Sequence, residues 1–121
     1  MPHWNVGAID QTPTKSLAAW SAYSVRFDGP NEPCTVHLTG FRKEGCVGQV
    51  SSPVEVVDPS NWRVRTRSGT VYHLSQLPGL NGDAFALWGA FKARYRLDHE
   101  DDVTDSLAKL MMTLNTGFTQ K

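Results

Sequence analysis

The chain has 121 residues, a length that suits one domain with a single core and excludes two full-sized domains. Hydrophobic residues make up 40% and charged residues 20% of the chain, which excludes an intrinsically disordered or fibrous protein. Lys plus Arg and Asp plus Glu each number 12, so no overall field attracts the chain to nucleic acid or to an anionic membrane.

The sequence predicts a soluble cytoplasmic protein. Its apolar stretches are far shorter than the roughly 20 residues that span a bilayer, and residues 1–9 lack the basic start and apolar core of a secretory signal. Cys34 and Cys46 are too few for a disulfide framework or a structural zinc site. We expect two buried free thiols, with a bridge between them as the alternative, and neither a metal nor another cofactor.

The whole chain, 1–121, is predicted to form one domain that begins with an irregular arm over residues 1–16. Between residues 18 and 75, apolar and polar side chains alternate in short runs, which is the period-two pattern of half-buried strands. These runs predict an antiparallel, curved sheet of about five or six short strands. On the first strand Tyr23, Val25 and Phe27 share one face. Trp20 falls on the other, where an exposed tryptophan would suit a protein interface.

Two turns define a hairpin in the middle of the chain. Residues 58–61 fit a type I turn, and residues 66–70 fit a short hairpin loop in which Gly69 takes the left-handed conformation. The implied register divides the side chains between two faces. The core face is predicted to hold Trp62, Val64, Tyr72 and Leu74, and the outer face Arg63, Arg65, Val71 and His73.

Two amphipathic helices are predicted after the sheet, over residues 81–97 and 103–115, with the acidic residues 98–102 as their connector. The first helix should dock on the sheet through one apolar stripe, formed by Ala84, Leu87, Trp88, Phe91 and Tyr95. Its opposite face carries small residues, Ala86, Gly89 and Ala93. Because small residues let another backbone approach closely, they suggest either contact with the second helix or a homodimer.

The hairpin arginines form the most suggestive candidate site. Alternate residues on a strand project the same way at about 7 Å, close to the spacing of successive phosphates, so a basic stripe can bind an anion. The predicted binding residues are Arg42, Lys43, Arg63, Arg65, Arg67 and His73. The competing interpretation is a solvated outer face in which Glu55 lies opposite Arg63 and neutralises it.

Other patterns point less directly to chemistry. His37 and His73 could each act as a general base if a carboxylate oriented the ring. Cys34 and His37 lie three apart on a predicted strand and therefore point to opposite faces, which argues against a shared metal site. No nucleophile elbow and no glycine-rich phosphate loop is present, so the sequence predicts no catalytic residue.

Three functional hypotheses remain open at the level of the sequence. The first is a small non-catalytic binding protein, an adaptor or an inhibitor acting through protein contacts, for which a phage or mobile element is one setting. The second is a nucleic-acid or nucleotide-binding module that uses the basic hairpin, and steep loss of affinity with added salt would distinguish it. The third is a small enzyme with a histidine general base.

Overall fold

The computed structural model describes residues 4–27, 29, 31–75, 77–95 and 97–116, so the two ends of the predicted 1–121 domain lie outside the described residues. Within these residues the fold is α+β, with a sheet of seven strands and two helices. The strands are β1 (Lys15–Phe27), β2 (Thr35–Arg42), β3 (Val47–Val50), β4 (Val54–Asp58), β5 (Arg63–Thr66), β6 (Val71–Leu74) and β7 (Leu97–Asp102). The helices are α1 (Gly82–Arg94) and α2 (Thr104–Thr116).

The sheet curls because its two terminal strands are consecutive in the chain. Hydrogen-bonded neighbours follow the order β3-β2-β1-β6-β5-β4, and β7 pairs with the C-terminal half of β1. In a flat sheet, five strand spacings of about 4.8 Å would separate β3 from β4 by about 24 Å. Only residues 51–53 join these strands, and four Cα steps reach at most about 15 Å. The two ends of the sheet must therefore approach each other.

Strand β1 is buried on both faces because the sheet packs against a different helix on each side. Trp20 and Ala22 belong to one core, and Tyr23 and Val25 belong to the other. An irregularity in the register with β2 follows Ala18, where Ala19 has a positive φ of 47°. Such a bulge adds a residue to the strand, so the side chains that follow it point to the opposite face from the one that strict alternation predicts. Trp20 does lie opposite Tyr23, but that face is a second core and the indole is fully buried.

Helix α2 closes the larger core. Val103, Leu107 and Met111 are buried against the inner face of the sheet, where they join Tyr72 and Leu74 of the hairpin. The hairpin face predicted to point inward is buried at Val64, Tyr72 and Leu74. Trp62 is only partly buried, because it ends a short 3-10 turn (Pro59–Asn61) in a left-handed conformation and does not enter β5.

Helix α1 covers the opposite face and builds a smaller, aromatic core. Trp88 stacks on Tyr23 with 5.3 Å between ring centroids and on Phe91 with 5.5 Å. Trp88 Nε1–H also donates to Glu100 of β7 at 3.0 Å, and Lys92 forms an ion pair with the same carboxylate at 3.0 Å. The helix is thereby fastened to both β1 and β7.

The sheet is mostly antiparallel, as predicted, but the predicted strand number and the predicted position of the helices are wrong. The sheet is mixed, because β6 runs parallel to the start of β1. The acidic segment predicted as a connector is strand β7, which separates the two helices along the chain. Acidic residues have low strand propensity, but pairing with an otherwise open stretch of β1 outweighs it. No helix in the described part of the chain is long and apolar enough to cross a membrane.

Candidate functional site

The predicted basic hairpin forms, and it places two of the predicted residues side by side. Arg63 on β5 pairs directly with the exposed His73 on β6. Glu55 does not lie opposite Arg63, because the 3-10 turn (Pro59–Asn61) sets a different pairing of β4 with β5, in which Glu55 falls at a register irregularity three residues away. Asp58 is the residue opposite Arg63 instead. The pairing of Arg63 with His73 is therefore as expected, whereas the acidic neighbour is not, and Val71, which was predicted on the outer face, is buried.

The N-terminal segment engages two of the hairpin arginines. Arg63 Nη1–H donates to the Ile9 carbonyl oxygen at 2.8 Å, and Arg65 Nη1–H donates to Gln11 Oε1 at 3.4 Å. Arg67 stays exposed. Two guanidinium groups of the proposed stripe thus hold residues 9–11 against β5.

Asp58 anchors the same segment from the neighbouring strand. The carboxylate is buried and accepts the Ile9 N–H at 3.0 Å and the Asn61 side-chain amide at 2.9 Å. Burial pulls the pKa of Asp58 upward, but the hydrogen bonds from Asn61, Ile9 and Ser60 outweigh it and hold the pKa below its usual value. Asp58 is therefore ionised at neutral pH and acts as a structural acceptor.

Lys43 and Arg42 lie at the turn between β2 and β3. The Lys43 N–H donates to the Ser16 carbonyl, and Ser16 pairs with His73, so these residues continue one row across adjacent strands to Arg63. Arg42 Nε–H donates to the Glu44 carbonyl at 2.6 Å.

Carboxylates stand at both ends of this row. The Ser16 N–H donates to Glu44 Oε1 at 2.8 Å, and this bond holds the pKa of the Glu44 carboxyl below its usual value. Asp58 stands at the other end of the row. The row therefore has mixed charge.

His37 lies inside the aromatic core. It is buried, with Phe91 and Trp88 ring centroids at 5.6 and 5.7 Å. Both ring nitrogens have partners: Nδ1 lies 2.9 Å from the Ser51 carbonyl and Nε2 lies 3.0 Å from Thr35 Oγ1. Burial lowers the pKa of His37 below its usual value. These contacts describe a packed structural histidine.

The two cysteines are not buried, which corrects the sequence prediction. Cys34 lies in the loop before β2 and Cys46 in the turn before β3, and both are free and exposed. Loop positions receive little cover from packed elements, so an apolar side chain there stays at the surface. Among the described residues, no group of three or more potential ligands could hold a metal ion.

The open edges of the sheet differ in how they are protected. At β4, Val57 exchanges backbone hydrogen bonds with the N-terminal segment, accepting from Gly7 N–H at 3.0 Å and donating to Asn5 O at 2.9 Å. Strand β7 is mostly acidic, and charges discourage edge pairing. Strand β3 reads Val-Gly-Gln-Val, carries no charge, and pairs only with β2 among the described residues. It is the least protected edge.

A groove runs along this edge, between β3 and one flank of α1; we call it the β3–α1 groove. It consists of two depressions of about 420 and 450 Å³ that share Gly48 and Leu87. Leu87 was predicted to dock on the sheet, but its side chain is 48% exposed and forms the apolar wall. The other principal wall residues are Val47, Ala86, Ala90 and Tyr95.

Charges of opposite sign stand at the two ends of the groove. Asp83 lies beside Val47, and Arg94 lies beside Val50. No ion pair involves either side chain in the part of the chain that the structure describes. Each charge also favours its end of the helix, since acids suit the first turn and bases the last. The groove is thus apolar in the middle and polarised along its length.

The sequence predicted only part of this site. Among the small residues assigned to a contact face, Ala86 lines the groove, whereas Gly89 and Ala93 are exposed on α1 outside it. One feature of the sequence could have indicated the groove: α1 has apolar residues on nearly all of its sides, whereas an ordinary surface helix has them on one side only. The dimer hypothesis stays a prediction.

A second depression of about 640 Å³ lies on the other side of α1. Phe85 and Tyr23 line it together with Asp102 and Asp105. Asp102 Oδ1 accepts the Thr104 N–H at 3.0 Å, and Asp105 lies in the first turn of α2. Both carboxylates therefore have a structural role at the N-terminus of α2, so the β3–α1 groove is the better candidate site. In comparisons with known proteins, no family model, no curated protein and no solved structure matches this chain.

Proposed function

We propose that this chain is a small non-catalytic binding domain, an adaptor or inhibitor, that contacts a protein partner through the β3–α1 groove. The observation that carries the proposal is that an uncharged strand edge, with which no described segment pairs, lies beside an exposed apolar helix flank. Monomeric proteins seldom leave either feature uncovered, and together they are typical of interaction surfaces.

The exposed apolar side chains of α1 support this assignment. Leu87 is 48% exposed and Tyr95 46% exposed, and Val47 of β3 is 40% exposed beside them. The buried centre of a protein interface is more apolar than its rim, and tyrosine is among the residues enriched there. Complete burial of an exposed leucine contributes roughly 1.5–3 kcal/mol, so covering the exposed half of Leu87 should contribute roughly 1 kcal/mol. Leu87 is the apolar side chain that lines both depressions of the groove.

The experiment is affinity capture from an extract of the native source, comparing the wild-type chain with Leu87→Glu. Loss of apolar burial and desolvation of the new carboxylate should reduce recovery of the partner at least about tenfold. Thr12→Glu is the matched control, because it adds the same charge at an exposed position outside the groove. Circular dichroism and thermal unfolding confirm that both variants fold. If every captured protein is recovered equally by wild type and Leu87→Glu, the groove is not the binding surface.

A further inference from the structure

Building on the proposed function, we infer that the occupant of the β3–α1 groove is an extended peptide segment of the partner that adds to β3 as an antiparallel strand. The segment has an acidic residue towards its N-terminus, beside Arg94, and a basic residue towards its C-terminus, beside Asp83. Apolar side chains between them face α1.

The backbone of β3 offers the groups that a strand needs. The Ser51 N–H donates to Leu38 O at 2.8 Å, which continues the β2–β3 ladder beyond Val50. Because hydrogen-bonded pairs alternate along an antiparallel ladder, Gln49 bonds inward, whereas the backbone groups of Gly48 and Val50 face the open edge. The Val50 carbonyl already accepts a long bond of 3.3 Å from the Gln49 side chain. The two outward N–H groups and the Gly48 carbonyl are the groups offered to a ligand.

The opposite edge of the sheet shows that this fold accepts an extended segment. Residues Asn5 to Gly7 bond to both backbone groups of Val57 and form a parallel bridge between Val6 and Val57. The chain covers its β4 edge in this way, and the described residues contain no second segment that does so at β3. A partner segment would supply backbone hydrogen bonds to the β3 edge, as residues 5–7 do at the β4 edge.

The dimensions of the groove also fit a strand. Asp83 and Arg94 are eleven residues apart on α1, which corresponds to about 16 Å at 1.5 Å per residue. Six or seven extended residues span about 16–20 Å, with every second side chain on the same face. A helical ligand of about 10 Å diameter would contact Leu87 but leave the outward N–H groups of β3 unpaired.

The two end charges set where the charged residues of the segment lie, and the strand direction then sets their order. A carboxylate is favoured beside Arg94, next to Val50, and an ammonium group beside Asp83, next to Val47. A segment antiparallel to β3 begins at the Val50 end, so its acidic residue precedes its basic residue. The antiparallel direction is chosen because such pairs are slightly more stable per residue.

The test uses the fluorescently labelled heptapeptide Glu-Thr-Ile-Thr-Ile-Thr-Lys with blocked ends, added to the full chain and followed by anisotropy. In the proposed register, the isoleucines face α1 and also aim their N–H groups at β3. N-methylation of both isoleucines should weaken binding about tenfold or more. The matched control is N-methylation of the first two threonines, whose N–H groups aim away, and it should leave affinity unchanged. The amide signals of Gly48 and Val50 should shift on binding.

Several outcomes would overturn strand addition. They are failure of the parent peptide to bind at about 1 mM, equal affinity of the two methylated peptides, or tighter binding of the charge-swapped Lys-Thr-Ile-Thr-Ile-Thr-Glu. The two proposals fail separately, because the capture experiment asks only whether the natural partner depends on Leu87. A Leu87-dependent partner together with peptides that show no effect of N-methylation would retain protein binding and exclude an added strand.

Discussion

Gly48 should be intolerant of even one methyl group, because α1 begins directly above it. A Cβ at this position would lie 2.6 Å from the Ala84 nitrogen, 2.8 Å from the Asp83 carbonyl carbon and 2.9 Å from the Ala84 Cα. Backbone atoms cannot rotate out of the way, so the first turn of α1 must retreat by about 0.8 Å to restore ordinary contact. The same Ala84 N–H donates to the helix-capping Asn81 Oδ1 at 2.9 Å, and this bond would be distorted.

The magnitude follows from these contacts. Overpacking costs about 1–3 kcal/mol, and a disturbed cap about 1 kcal/mol more. Replacing glycine recovers up to about 1 kcal/mol by restricting the unfolded chain. We therefore expect Gly48→Ala to lower the free energy of unfolding by about 2 kcal/mol, measured by urea denaturation.

Gly89→Ala is the matched control. It lies within α1 with no atom within 4 Å of the added Cβ, so it should stabilise the chain by about 0.5–1 kcal/mol. A Gly48→Ala chain as stable as wild type would refute the close approach of α1 to β3.

Two further predictions concern groups with shifted pKa values. Burial keeps the pKa of His37 below its usual 6.5, so below that pH the unfolded chain binds more protons than the folded one. The free energy of unfolding should therefore fall as the pH drops from about 7 to 5, and His37→Gln should flatten this dependence; an equally steep profile in the variant would contradict it. Asp58→Ala should cost about 2–3 kcal/mol in urea denaturation and speed hydrogen exchange of the Ile9 amide, because that N–H loses its acceptor. Asp58→Asn keeps one acceptor oxygen and should lose less, and wild-type stability in Asp58→Ala would show that the bond is not needed.

Local patterns in the sequence were sufficient to predict the hairpin. Alternation and turn residues placed Arg63 opposite His73, because cross-strand register in a hairpin follows from the loop that joins its strands. The same reasoning missed β7, where pairing with β1 outweighs the low strand propensity of acidic residues. It also misjudged the surroundings of Trp20, since no local signal reveals that β1 is covered on both faces.

The candidate site was harder to predict for a related reason. The groove depends on which strand ends the sheet and on which flank of α1 overhangs it, and both are properties of the tertiary arrangement. Periodicity assigned Leu87 to the docking stripe because it lies close to Trp88 and Phe91 on a helical wheel. The sheet ends before reaching that side chain, so Leu87 faces the open edge.

The contacts of the N-terminal segment impose an order on the folding of the chain. Ile9 needs Asp58, which lies 49 residues later, and the Trp4 indole N–H donates to Ser106 Oγ, 102 residues later. On the ribosome, Trp4 must therefore wait until Ser106 has emerged before this contact can form. Closing such long loops slows folding, and the β4 edge stays open to stray pairing during the delay. Synthesis speed and early proteolysis should consequently affect the yield of this protein more than its final stability suggests.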